Sequence, residues 1–247
     1  MKKLTTVCIV AVLILVLWQA LVTTLSLPIY ILPGPLPVAA ALWNNQALIA
    51  DHALVTLFEI LAGMILGVGL GMTTAIIMAW SPPVRAVFQP LLIFSQAIPI
   101  FALAPILTLW FGYGFWSKVV MALLIIFFPI ASSFFDGLMR TRIDWLELAE
   151  NMGATAPRTM FYLRVPAAMP SLASGLNIAA VYAPIGAVIG EWVGASSGLG
   201  YLMLLANGRA KIDLMFAALF VLALMTMLLR AAINMFNNFF LMRYMRC

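Results

Sequence analysis

Residues 54–80 read LVTLFEILAGMILGVGLGMTTAIIMAW and carry a single charged residue, Glu59. About 20 consecutive apolar residues suffice for a helix to cross the hydrocarbon core of a bilayer, so this stretch predicts a membrane-spanning helix. Gly63, Gly67 and Gly71 form two overlapping GxxxG units, with Gly69 between them. Small residues at this spacing let helix backbones approach closely in lipid, although glycine is also simply common in membrane helices. Either reading gives packing rather than chemistry.

Five more apolar stretches flank this one, at residues 4–24, 88–111, 116–136, 170–191 and 213–236. The breaks contain Ser81-Pro82-Pro83, Gly112-Tyr113-Gly114 and the segments 137–169 and 192–212, where Pro and Gly punctuate the chain as turns. A cleaved signal peptide is the alternative for the first stretch. Trp18 and Gln19 stand where a small-x-small cleavage pattern would be expected, so an uncleaved helix is predicted. The chain thus reads as one transmembrane domain over residues 1–247, all-α, with six spans.

Composition agrees. The 247 residues are 65% apolar and 9% charged, against about 45–50% and 25% in soluble domains. So little charge cannot cover a soluble surface, which excludes a soluble enzyme, a disordered regulator and a nucleic-acid module. Thirteen Lys+Arg against eight Asp+Glu give a net charge of +5. With the N-terminus cytoplasmic, the inner side holds Lys2, Lys3, Arg85, Arg140, Arg142, Arg158, Arg164, Arg230, Arg243 and Arg246. The outer side holds only Lys118, Arg209 and Lys211. The positive-inside rule therefore places both termini in the cytoplasm. The basic balance is a record of topology, since no run of bases is dense enough to grip a polyanion. Cys8 and Cys247 read as two unpaired thiols without a metal-ligand pattern.

Ionisable groups inside the membrane mark ion paths and intramembrane catalysis. Here Glu59, Asp136 and Glu191 lie near span ends, where they can reach the interface, and His52 falls in an outer loop as an incidental residue. That pattern argues against a secondary transporter working alone and against an intramembrane hydrolase. No catalytic residue, cofactor or metal site is predicted. Pro99, Pro105, Pro129 and Pro184 interrupt three spans and can kink them. Ser171, Ser174, Asn177 and Tyr182 fall along one side of the fifth span, and Ser95 and Gln96 sit in the third. Such polar residues line either a solute path or an interhelical contact.

Segment 137–169 is the longest inner loop and the most charged. Four of the chain's acids and four of its bases lie between Asp136 and Arg164. Asp144 followed by Glu147 predicts a capped helix start, Gly153 its stop, and Thr155–Pro157 the start of a second short helix that Pro166 ends. Trp145, Leu146, Leu148 and Met152 give the first helix an apolar surface that requires a cover, from the bilayer, the chain itself or a partner groove.

Within this loop, Glu147-Leu148-Ala149, Gly153, Leu163 and Val165-Pro166 reproduce the spacing E-A-A-x3-G-x9-I-x-L-P. The segment resembles the EAA motif of permease subunits of ATP-binding-cassette importers, with Leu148 in place of the Ala at the motif's second position. Other elements resemble the nitrate/sulfonate/taurine branch of that family. They are Leu32-Pro33-Gly34-Pro35, Trp110-Phe111-Gly112-Tyr113-Gly114, Phe127-Phe128-Pro129, Gly190-Glu191-Trp192 and Gly198-Leu199-Gly200-Tyr201.

The resemblance implies a type I importer permease fold in a bacterial inner membrane, working as a two-fold pair, expected to be a homodimer. Its expected partners are membrane lipid, cytoplasmic ATPase subunits and an extracytoplasmic substrate-binding protein. None of Lys2, Lys3, Lys118 and Lys211 completes a G-x4-G-K loop, so ATP is expected to be hydrolysed by a separate subunit. Glu147, Ala149, Gly153 and Pro166 are implied as the ATPase-coupling contact, with Trp145 and Leu148 packing beside them. Ser95, Gln96, Ser171, Ser174, Asn177 and Tyr182 are expected along the solute path. Glu191, Trp192, Gly198 and Gly200 are expected at an outer gate or binding-protein contact. Relatives carry an arginine early in the second span, where this chain has Phe58 and Glu59. That departure favours a neutral or aromatic solute over nitrate, sulfonate or taurine. The segments around Glu191 and Leu214-Met215-Phe216-Ala217-Ala218 resemble carriers of aminopyrimidine precursors of thiamine most.

Overall fold

The computed structural model describes residues 2–241 and is helical, with no strand among them. Arg243 and Arg246, two of the inner-side bases, and Cys247 lie outside the described residues. The helices are α1 (Lys2–Thr24), α2 (Pro35–Asn44), α3 (Gln46–Trp80), α4 (Pro82–Ala97), α5 (Ile100–Phe111), α6 (Phe115–Met139), α7 (Ile143–Asn151), α8 (Ala156–Thr159), α9 (Val165–Trp192), α10 (Leu199–Gly208) and α11 (Ile212–Phe236).

Helix α6 is the centre, with α3 on one side and α9 on the other. The glycine stripe of α3 explains the first contact. A Cβ on Gly63 would lie 2.7 Å from the Ala122 Cβ, one on Gly67 2.7 Å from the Ile126 side chain, and one on Gly71 2.9 Å from Ile130. Each step of four on α3 thus meets a step of four on α6, and the missing side chains set how near the helices come. Gly69 faces open space and takes no part. On the other flank, a Cβ on Gly186 of α9 would lie 2.6 Å from the Ala122 Cα. Ala122 is therefore clamped between two glycines on two helices. Phe134, Ile130, Met78 and Leu138 fill the interior around this axis. A second cluster joins α2, α10 and α11 through Val38, Leu202, Leu214 and Ala217, and a third seats α5 on α6 and α9 through Leu107, Met121 and Ile189.

Four helices are long and apolar enough to cross a membrane, and the pair α4–α5 makes a fifth if it crosses as one. The stretch expected as one span over 88–111 is bent by 101° between α4 and α5. Pro99 supplies the reason. It bars the preceding residue from helical angles, and Ile98 is extended at φ −81°, ψ 120°. Helix α3 starts at Gln46 rather than at 54, so Asp51 and His52 belong to a helix and not to a loop. The inner loop is shorter than 137–169, because α6 runs on to Met139 and the long helix that contains α9 already begins at Ala156.

Pro166 does not end a helix. Residues Ala156–Trp192 form one continuous helix of 37 residues. A π-turn over Met160–Arg164 precedes the proline, with the Val165 N–H bonded five residues back to the Met160 carbonyl. Proline removes one helical hydrogen bond and crowds the carbonyl four residues earlier; the wider π-turn relieves that crowding without breaking the rod. At 1.5 Å per residue the rod is about 55 Å long.

Candidate functional site

Helix α7 stands off the body of the protein. None of its residues is buried, and Trp145, Leu148 and Met152 are exposed at 44%, 59% and 78%. Asp144 is not the cap foreseen from the sequence. The cap position belongs to Arg142, and Asp144 sits inside the first turn, paired with Arg142 at 2.8 Å. The aspartate still meets the positive end of the helix dipole there, but the pair is solvent-exposed and adds little stability. The Arg142 guanidinium also lies 5.7 Å over the Trp145 ring. Glu147 is exposed, while Ala149 is half-buried.

The end of α7 is a Schellman turn. The Gly153 N–H donates to the Glu150 carbonyl at 2.8 Å and the Ala154 N–H to the Ala149 carbonyl at 2.9 Å. Gly153 holds φ +74°, the left-handed conformation that glycine adopts without Cβ strain. A cleft of about 400 Å³ separates α7 from the end of α3, lined by Trp80, Leu146, Glu150 and Arg164 among others. Trp80 stacks edge-on against Phe161 at 6.3 Å beside it. The turn therefore presents a short apolar helix clear of its own chain, joined through Thr155 to the foot of the α8–α9 rod.

The far end of the rod carries a second cluster, which the sequence reading placed at the interface. Glu191 and Glu59 are 1% and 3% exposed, and Lys118, counted as an outer-side base, is 2% exposed. All three are buried within the protein, among α3, α6 and α9. The Thr56 hydroxyl donates to Glu191 Oε1 at 2.6 Å and accepts from the Leu199 N–H at 2.7 Å. The Gly200 and Tyr201 N–H groups donate to the Glu191 carboxylate. The Gly198 N–H donates to His52 Nδ1 at 3.0 Å. The first N–H groups of a helix have no partner within the helix. At α10 those of Gly198 through Tyr201 are all taken by side chains of α3 and α9. Gly198 has φ +108°, and a Cβ there would overlap the Glu191 carboxyl. Lys118 Nζ donates to the carbonyls of Tyr113 and Gly114.

Residues 63–245 match the family described as binding-protein-dependent transport system inner membrane component. The chain belongs to that family. Relatives named as permease proteins match it over most of their length. A probable ABC transporter permease protein of Haemophilus influenzae is 48% identical over 90% of both chains. The formylaminopyrimidine transport permease protein ThiX of Halalkalibacterium halodurans is 38% identical, covering 92% of this chain and 91% of its own. The fold matches a chain in inward-facing structures of the MetNI methionine ABC transporter, with a TM-score of 0.69 at 18% identity, over 79% of this chain and 97% of that one. The protein is thus a multi-pass inner-membrane component and a transport subunit rather than an enzyme. Its family implies an ATPase and a substrate-binding protein as partners.

In this permease the residues expected to line one path divide. Ser171 packs over Gly137 of α6. Asn177 accepts from Asn237 Nδ2 at 3.3 Å. Ser174 and Tyr182 are exposed, with the Ser174 hydroxyl turned back onto the Pro170 carbonyl. Ser95 and Gln96 lie exposed at the end of α4, next to the Pro99 bend. Trp192 is also exposed, at 44%. The structure does bring Glu191, Gly198 and Gly200 together. Thr56, Glu59, His52 and Lys118, which complete that cluster, were not singled out as site residues from the sequence. The one signal there was a carboxylate, Glu59, in an otherwise charge-free run.

Proposed function

We propose that this chain lines the solute path of an ATP-driven importer. It crosses the membrane six times with both termini cytoplasmic, works as a homodimer and receives its solute from a binding protein outside. The observation that carries the reading is the uncovered apolar helix α7, held away from the body by a Gly153 turn. Such a helix fits a groove on an ATPase, with Trp145, Glu147, Leu148, Ala149 and Gly153 at the contact. Because α8 and α9 form one rod, closure of the ATPase pair moves α9 directly, and Pro166 sits where the π-turn enters that rod. Alternating access follows when the rods of two subunits tilt together.

The solute is an aminopyrimidine thiamine precursor. Supporting this are the 38% identity to the formylaminopyrimidine permease and the presence of Phe58 and Glu59, rather than an arginine that would favour an anion, early in the second span. Titration calorimetry on the binding protein that stimulates this complex tests the assignment. Formylaminopyrimidine is expected to bind in the micromolar range or tighter, about 8 kcal/mol, with taurine and nitrate silent. Binding of taurine or nitrate instead would overturn the solute.

A further inference from the structure

The chemistry of the buried cluster at the end of α9 goes beyond a cap. Glu191 already accepts from the Thr56 hydroxyl and from the N–H groups of Gly200 and Tyr201, the partner set of an ionised carboxylate. Glu59 is placed differently. Its Oε2 is buried and receives no hydrogen bond from a donor among the described residues. The ion pair found among the described residues, Arg142–Asp144, lies at the opposite end of the rod. Lys118 is near enough to be felt electrostatically, but the hydrogen bonds its ammonium makes go to the carbonyls of Tyr113 and Gly114. What Glu59 does reach is the Glu191 carboxylate. Two carboxylates cannot hydrogen-bond each other, since both only accept; a proton between them turns the contact into a donor–acceptor pair. Buried beside one ammonium, two carboxyls sharing one proton are also electrically balanced, where two bare carboxylates leave one negative charge uncompensated.

We propose that Glu59 carries a proton and donates it in a hydrogen bond to ionised Glu191, forming a clasp that fixes the start of α10 to α3. The charged and titratable groups around it are Lys118 on α6, and His52 with its neighbour Asp51 on α3. Glu191 is the last buried residue of the rod whose other end is the coupling loop. The clasp is therefore where movement of α9 reaches the outer loop 193–198. This last step rests on the importer reading above, whereas the proton does not.

The two glutamates consequently have unequal roles, and isosteric amides separate them. Glu59→Gln puts an N–H in place of the shared proton and is expected to keep uptake by the full complex within about twofold of the parent. Glu191→Gln has one acceptor oxygen for several donors and is expected to lose about tenfold or more. Infrared spectroscopy of the purified permease at neutral pH reads the proton directly. The expected result is a carboxylic-acid carbonyl band that shifts in deuterium oxide and is missing from Glu59→Gln. Absence of the band in the parent, its persistence in Glu59→Gln, or failure of Glu59→Gln to assemble would each overturn the clasp. Parent complex that takes up no solute with ATP and binding protein would instead count against the importer reading and leave the band assignment standing.

Discussion

Gly153→Asp is expected to abolish ATP-driven uptake while the permease still folds and inserts. A Cβ at this position meets nothing in its own chain. The left-handed φ of +74° costs an ordinary residue about 1–2 kcal/mol, and aspartate tolerates that region better than most. The permease itself therefore loses little. The new carboxylate, however, stands on the turn that ends the exposed helix α7, where the partner is to dock. Burying an unpaired charge at a contact costs several kcal/mol, enough to reduce coupled ATP hydrolysis by about a hundredfold or more. The measurement pairs uptake with thermal unfolding of the purified permease. Near-parental uptake in Gly153→Asp would refute the coupling contact, and collapse of the melting temperature would locate the damage in the fold instead.

The second large effect belongs to packing. Gly186→Leu is expected to prevent accumulation of folded protein, whereas Gly69→Leu, on a neighbouring helix of similar composition, is expected to be near neutral. The first would drive a Cβ to 2.6 Å from the Ala122 Cα, and that residue is also pressed from the other side by Gly63. Neither α3 nor α9 can yield without disturbing the other. Overpacking a core costs about 1–3 kcal/mol when side chains can adjust, and more when backbone must move, against a total stability of about 5–15 kcal/mol. Gly69 faces open space. Detergent-solubilised yield and melting temperature check both variants, and equal behaviour of the two would refute the α3–α6–α9 arrangement.

These cases show what local pattern can and cannot convey. The stripe Gly63, Gly67, Gly71 is visible in the sequence as a packing face because helical periodicity alone brings its members together. The Gly153 turn is equally local, and the motif around it carries the family resemblance that implies a docking loop. The Glu59–Glu191 pair is not legible in this way. Thr56 and Glu191 are 135 positions apart, and each glutamate on its own sits close enough to a span end to be taken for an interfacial residue. Only the packing of α3 against α9 brings the two together beside the start of α10, which Glu191 holds. Prolines were visible but ambiguous. Pro99 breaks its helix by 101°, while Pro166 is absorbed by a π-turn. The difference lies in the turn before each proline rather than in the proline itself. The polar residues of α9 and α4 scatter because a shared helical face does not decide whether that face meets a helix or a path.

The central claim is that this chain transports only as part of an ATP-driven assembly. The direct measurement is uptake of labelled formylaminopyrimidine into proteoliposomes holding the permease and its ATPase subunits, with ATP inside and binding protein outside. Uptake is predicted to require all three components and to stop when ATP or the binding protein is withheld. Uptake by the permease alone, driven by a proton or sodium gradient, would contradict it.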